Sequence, residues 1–412
     1  MQPKKYLADQ HGIDTSLIDK DAIFIITRLK EAGHLAYLVG GGVRDLLNKR
    51  KPKDFDISTS AKPEEIKKIF QRQCLLIGRR FRLAHIRMGN KIFEVATFRA
   101  GENEDELIVH DNEWGNPEND VLRRDFTING LFYDASENCV IDYVGGWEDI
   151  QKKTLRCIGN PEVRFKQDPV RMIRLLKFRA RFGFEIDVET KQALLNCRKE
   201  IIKSSAARVL EELLRMLESG YSVPFLSLMN ESGLLNLLIP VLSSSLKGPL
   251  GSKVYDFLKV ADKLQGKNDK HPIDRAILTS CLLFPFLENA IAKWNSEEQS
   301  HPHIGDIMVM TSSMIKEVIA SAFSHFPKRI STLMIFILSM QYRLTPLSGK
   351  RHFKPKLMQN KEFDLALHFL KIRAILDEKL TEDYFAWKRL YEQHYGHADR
   401  LSQRRTKHRR KR

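Results

Sequence analysis

The chain has 412 residues, 42% of them hydrophobic and 29% charged, which suits two or three packed domains and excludes a low-complexity or disordered chain. Its net charge of +16 and pI near 9.5 imply an anionic partner, nucleic acid being the usual one, over the plainer reading of a solvated basic surface. Five scattered cysteines (Cys74, Cys139, Cys157, Cys197, Cys281) form no CxxC pair, the N-terminus lacks a signal-peptide core, and no run of about twenty apolar residues suggests a span, so a reducing cytoplasm is expected.

In chain order, DKDAIFIITRLKEAGH predicts a helix, with Ala22, Ile25, Ile26 and Leu29 at helical spacing and Gly33 as the stop. LAYLV (35–39) predicts a buried strand, the glycines a turn, and Val43, Leu46 and Leu47 a short helix. DFDIS reads as the next strand. Pro63 opens a helix in KPEEIKKIFQR, where proline favours the first helical position. CLLIG is a strand, and RLAHIRM and KIFEVATF flank Gly89-Asn90 as a hairpin. Residues 101–120 are polar and aperiodic and read as a mobile loop. LFYDASENCVIDYVGG is a second short β-rich piece, and from about Gln167 onward the pattern is helical.

The expected architecture is α+β: a mixed-sheet head (1–150), then an all-helical neck (151–230), body (231–396) and basic tail (397–412). Residues 404–412, RRTKHRRKR, hold seven Lys or Arg and no acid, a block suited to polyanions.

The stretch YLVGGGVRDLLNKRKPKDFDIST carries the chemistry. On one strand Asp54 and Asp56 point to one face and Phe55 to the other. Two such carboxylates repel unless a cation sits between them. The plain reading is a charged edge relieved by Lys51 and Lys53. A Gly-rich turn at a helix start shortly before them can cradle phosphate, and Mg²⁺ takes one or two carboxylates plus phosphate oxygens. A dinucleotide-binding turn fits less well, because position 45 is Asp where that fingerprint needs Gly.

GGGVRDLL followed by DFDIST resembles the nucleotidyltransferase motif of class II CCA-adding enzymes and bacterial poly(A) polymerases. RRDFTINGLFYD (123–134) resembles their ribose-recognition motif, QDPVRMIRLLKFRARFGF (167–184) their EDxxR base-reading motif, and AARVLEELLRML (206–217) the helix after it. The resemblance spans roughly 40–220, four motifs in the family's order. It implies that Asp54 and Asp56 hold Mg²⁺, with Glu94 as a candidate third carboxylate or a structural partner of Arg99 or Arg82. It implies that Gly40, Gly41, Gly42 and Arg44 approach the triphosphate of ATP. Arg124, Asp125 and Asn129 would meet the ribose and phosphates, Asp125 accepting from a 2′-hydroxyl. Asp168 and Arg171 would read the base edge. Spacing adds that positions i and i+3 of a helix share a face, so an acid and a guanidinium there present acceptor and donor together. An intrahelical ion pair is the plain alternative. Gln167 departs from the Glu of the family pattern.

IGRRFRLAHIRMG (77–89) resembles the poly(A) polymerase version of the family, and a basic C-terminal tail is typical of it. The resemblance thus implies AMP addition to single-stranded RNA 3′ ends, with Arg79, Arg80, Arg82, Arg404, Arg405, Lys407, Arg409 and Arg410 on the RNA. RNA-degradation or RNA-chaperone partners, mRNA processing and a cytoplasmic place without a membrane span go with it. A CCA-adding tRNA nucleotidyltransferase is the near alternative, and a non-catalytic RNA-binding protein the distant one.

Overall fold

In the computed structural model, eight short strands build one mixed sheet. They are β1 (Lys4–Leu7), β2 (Ala36–Val39), β3 (Asp56–Thr59), β4 (Cys74–Ile77), β5 (Leu83–Met88), β6 (Lys91–Thr97), β7 (Leu131–Asp134) and β8 (Cys139–Asp142). Their order is β1-β8-β7-β2-β3-β6-β5-β4, with every pair antiparallel except β3 and β6. The structure describes residues 2–78, 83–100, 114–267, 272–323, 326–349 and 355–394. Arg79, Arg80, Arg82, the 101–113 part of the polar segment, and Arg404, Arg405, Lys407, Arg409 and Arg410 lie outside them.

The central strands are buried on both faces, which is why β2 reads as an unbroken apolar run. Leu38, Ile57, Val95 and Ala84 line one face in register. Two helices cover this side: Lys20–Glu31 packs on β2 and β3, Pro63–Phe70 on β4 and β5. The first starts where Asp19 accepts the Asp21 N–H, buries Ala22, Ile25, Ile26 and Leu29 as expected, and stops before Gly33 at φ 86°. Tyr37, Val39, Phe98, Val121, Phe132, Cys139 and Ile141 form the core on the opposite face. There Phe132 lies 5.8 Å from Tyr37 and 6.1 Å from Phe98, ring centre to ring centre. All five cysteines are buried and free.

Three features depart from the sequence reading. The N-terminal residues add β1, an edge strand on β8. The β-rich piece read at LFYDASENCVIDYVGG is indeed two strands, β7 and β8, of the same sheet. Residues Pro117–Leu122 are helical, not loop: Asn116 accepts the Asn119 N–H and Pro117 occupies the first turn. Asp168 is not on the helix that carries Arg171. It has φ −139°, ψ 87° and separates the helices Pro161–Gln167 and Val170–Phe182. Pro169 explains this, since a residue before proline is pushed out of the helical region.

The chain forms two compact units, Met1–Glu200 and Ile201–Arg412. The second is helical, so the α+β order of sheet first and helices after holds. Its core includes the rings of Phe257, Phe284 and Phe369, with centres 5.2–5.9 Å apart. A further cluster gathers Phe363, Leu367, Leu370 and Trp387, whose Nε1 donates to the Leu344 carbonyl at 3.0 Å. Among the described residues one helix, Arg275–Glu298, is long and apolar enough to cross a membrane, although no such run was expected. Its apolar window is 67% buried against the neighbouring helices of this unit, as a core helix is.

Candidate active site

The turn after β2 has a backbone only glycine accepts readily. Val39 pairs with Asp56, and the next residue, Gly40, leaves the sheet at φ 64°, ψ −127°. A Cβ on Gly40 would stand 3.1 Å from Arg124 Nη1. The chain enters the helix Gly41–Leu47 at once, and this helix packs on β2, β7 and the turn Thr127–Asn129.

The same register corrects the placement of Asp54. Two residues beyond the Val39–Asp56 pair, Asp54 would face Gly41, which is already helical. Asp54 therefore precedes β3, and only Asp56 is on the strand. Phe55 between them is buried, as expected. On the other side of β3 the parallel register Ile57–Val95 sets Asp56 beside Glu94. Glu94 faces His85 across β5, with 3.6 Å between Oε1 and Nε2.

These carboxylates load the site with negative charge. The Asp56 carboxyl is raised above its ordinary value, first by lost hydration, then by the charges of Glu94 and Asp54; Arg124 opposes the shift. Asp56 keeps exposed surface, yet the protein around its carboxyl strips part of its water. Among the described residues no three His, Cys, Asp or Glu side chains form a metal cage by themselves. Mg²⁺ needs no such cage, because it completes its shell with water and substrate phosphate. Crowded, under-compensated carboxylates fit a divalent cation shared with a substrate.

Arg124 is anchored from below. Asp120, 1% exposed, accepts from Arg124 Nη2 at 2.8 Å and Nε at 3.2 Å, and from Arg123 Nε at 3.0 Å. Burial pushes the Asp120 carboxyl up, but Arg124 and Arg123 more than offset this and hold it below the ordinary range. The Arg124 guanidinium also lies 5.6 Å from the Phe132 ring centre.

Arg44, Asp125 and Asn129 come together but are turned inward. Arg44 is 4% exposed and donates to Asp45 Oδ1 from Nε at 3.0 Å and Nη2 at 2.8 Å. Its Nη1 donates to Asn129 Oδ1 at 2.6 Å. Asn129 Nδ2 donates to Asp125 Oδ1 at 3.0 Å, and that oxygen also takes the Phe126 N–H at 2.8 Å. Arg174 Nη2 stands 2.8 Å from Asp125 Oδ2. Burial raises the Asp125 carboxyl, and Arg174, Asn129 and the Phe126 amide bring it below its ordinary value.

Arg171 Nη2 donates to the Arg123 carbonyl at 3.0 Å, and Arg164 Nη2 to the Leu122 and Arg124 carbonyls at 3.0 and 3.3 Å. The Asp168 carbonyl accepts from the Arg171 N–H at 3.0 Å. Gln167 Oε1 accepts from Arg164 Nη1 at 3.2 Å. The helix carrying Arg171 is thus tied to the Arg123 carbonyl, and the helix before it, through Arg164, to the Leu122 and Arg124 carbonyls.

Sequence reasoning did not find Asp45, Asp120, Arg164, Arg174 or Arg181 as parts of this assembly. A signal existed for two of them: Arg174 and Arg181 follow Arg171 at helical spacing, on a helix that also carries Lys177 and Arg179. Asp45 and Asp120 lie within motifs read for other purposes.

Comparison with known proteins follows the same lines. Residues 36–156 match the family model described as Poly A polymerase head domain. Residues 183–246 match "Probable RNA and SrmB- binding site of polymerase A", and 309–412 match "Polymerase A arginine-rich C-terminus". Poly(A) polymerase I of Escherichia coli O157:H7 is 35% identical over 382 residues, 89% of this chain and 80% of that protein. Poly(A) polymerase I of Haemophilus influenzae is 32% identical over 405 residues, 93% of this chain and 87% of that protein. A CCA-adding enzyme of Bacillus velezensis is 36% identical over 226 residues, covering 53% and 55% of the two chains. The crystal structure of the Bacillus stearothermophilus CCA-adding enzyme in complex with CTP shares the fold at a TM-score of 0.65 and 24% identity, over 89% of this chain and 82% of that one.

Proposed function

The chain belongs to the bacterial poly(A) polymerase family and is an RNA nucleotidyltransferase, and from that premise we propose that it adds AMP from ATP to RNA 3′ ends without a template. The observation that carries this reading is the extent of likeness: 80–87% of the length of the poly(A) polymerases, against 55% of the CCA-adding enzyme. The RNA 3′-hydroxyl gives up its proton to solvent as its oxygen forms a bond to the α-phosphorus, and pyrophosphate leaves with the electrons of the α–β phosphoanhydride bond that breaks.

Asp54 and Asp56 would hold Mg²⁺, with Glu94 beside them; the ion would supply positive charge to the phosphoryl oxygens. The missing side chains at Gly40, Gly41 and Gly42 would let the triphosphate approach the main chain, and Arg124, 3.1 Å from where a Gly40 Cβ would stand, adds a fixed positive charge beside it. Holding groups in place in this way is most of what phosphoryl transfer asks of a protein. Arg44 acts through Asn129 rather than by touching phosphate, since its guanidinium is buried and committed. Asp125, equally committed, shapes the 125–129 turn by holding Asn129 and the Phe126 amide. Asp168, in the break between the two helices, and Arg171, in the first turn of the second, would meet the base edge. The basic groups at 79–82 and 404–410 suit a single-stranded RNA, and a cytoplasmic role in mRNA polyadenylation follows.

Asp54→Ala tests the site. Nucleotide incorporation should fall to background while RNA affinity stays within about twofold, since Asp54 is exposed and carries no core. An active Asp54→Ala enzyme would contradict the metal assignment.

A further inference from the structure

The helix Val170–Phe182 is tied to the sheet unit at two points seven residues apart, about 10 Å along its axis. Arg174 Nη2 meets Asp125 Oδ2 at 2.8 Å, and Arg181 Nη2 meets Asp45 Oδ2 at 2.8 Å. The two anchor acids are joined to each other. Asp45 Oδ1 takes Nε and Nη2 of Arg44, Arg44 Nη1 reaches Asn129, and Asn129 reaches Asp125. The circuit is closed: helix, Arg181, Asp45, Arg44, Asn129, Asp125, Arg174 and back to the helix. Phe178 and Phe182 of the same helix lie against the Arg44 guanidinium, 5.0 and 4.8 Å from their ring centres to its central carbon. The inner members of the circuit, Arg44, Asp45, Asp125 and Asn129, are all buried, where such bonds are strong and costly to leave unmade.

A closed circuit fixes a distance. One side of it is the helix Gly41–Leu47, entered directly from the phosphate turn; the other begins at Asp168 and Arg171. A purine edge reaches farther from its ribose than a pyrimidine edge. The span from phosphate turn to helix start therefore decides which base is read. We propose that Arg181 and Asp45 are positioning residues for nucleotide selection: their ion pair pins the far end of the helix, about 15 Å along its axis from Arg171, and so fixes the tilt at which the helix start faces the base. This rests on the poly(A) reading above and adds to it the device that sets ATP over CTP.

Arg181 is the member to alter, because its side chain is 31% exposed and its loss leaves the buried Arg44–Asp45 pair intact. Single-turnover incorporation of ATP and of CTP on a labelled single-stranded RNA is measured for wild type, Arg181→Met and Arg181→Lys, with melting curves alongside. The ATP-over-CTP ratio of kcat/KM should fall at least about tenfold in Arg181→Met, the equivalent of about 1.4 kcal/mol, and recover in part in Arg181→Lys. A merely structural residue would lower both substrates together and leave the ratio where it was, which would overturn the inference alone. A wild-type enzyme that takes CTP as readily as ATP would remove the poly(A) reading and the inference with it.

Discussion

Asp120 offers the sharpest perturbation of the site. It touches neither the phosphate turn nor the carboxylate cluster, yet Arg123, Arg124 and the Arg99 amide all donate to it. Removing one partner of a buried ion pair costs about 3–5 kcal/mol. Arg123 and Arg124 retain 23% and 19% of their side-chain exposure and can recover some water, so Asp120→Ala should lie near the lower end, about 3 kcal/mol. Asp120→Asn keeps the shape and one acceptor and should cost about 1.5–3 kcal/mol, the worth of a hydrogen bond to a charged group. Activity should fall as well, because a released Arg124 is drawn toward Asp56, whose carboxyl already feels its charge. The assay is urea denaturation followed by circular dichroism, with nucleotide incorporation measured well below the transition. The contribution also has a pH sign. Arg124 and Arg123 hold the Asp120 carboxyl below 3.8, so its stabilisation is complete above about pH 4 and is lost as pH falls through the folded value. Asp120→Asn within about 0.5 kcal/mol of wild type, with unchanged incorporation, would refute the anchoring argument.

Gly40→Ala should cost about 1–3 kcal/mol of backbone strain and displace Arg124, lowering kcat/KM for ATP about tenfold or more; steady-state kinetics with intact folding checks it. In the helical unit, Glu211 accepts from Arg275 and Arg215, and its carboxyl is held down to about 2 against an ordinary 4.5. That contribution is full above about pH 4.5 and fades as pH falls toward 2, so Glu211→Gln should flatten acid destabilisation over this window in pH-dependent melting. Removing 404–412 should weaken RNA binding and reduce the slope of log K against log salt by about 0.7 for each phosphate the tail had neutralised; a fluorescence titration at several salt concentrations reads it.

Much of the sheet unit was legible because its strands and helices are short and sharply bounded. The Gly89-Asn90 hairpin and the helix closed by Gly33 follow from turn chemistry and periodicity alone. β1 was not legible: four residues beginning Lys4-Lys5, mostly exposed, show no alternation to betray an edge strand. Asp54 and Asp56 could be named from their spacing, but not the end of β2 that leaves Asp54 off the strand, since that depends on register with a distant segment. Asp168 was misplaced by trusting helical spacing across Pro169. The ion pairs Asp45–Arg181 and Asp125–Arg174 were least accessible, because nothing local links residues so far apart in the chain.

The central claim is tested most directly by offering purified protein, Mg²⁺ and a labelled single-stranded RNA either ATP or CTP alone. The account predicts a long ladder with ATP and little extension with CTP. Two additions with CTP and then one with ATP, on a tRNA lacking its 3′ end, would contradict it and identify CCA addition instead.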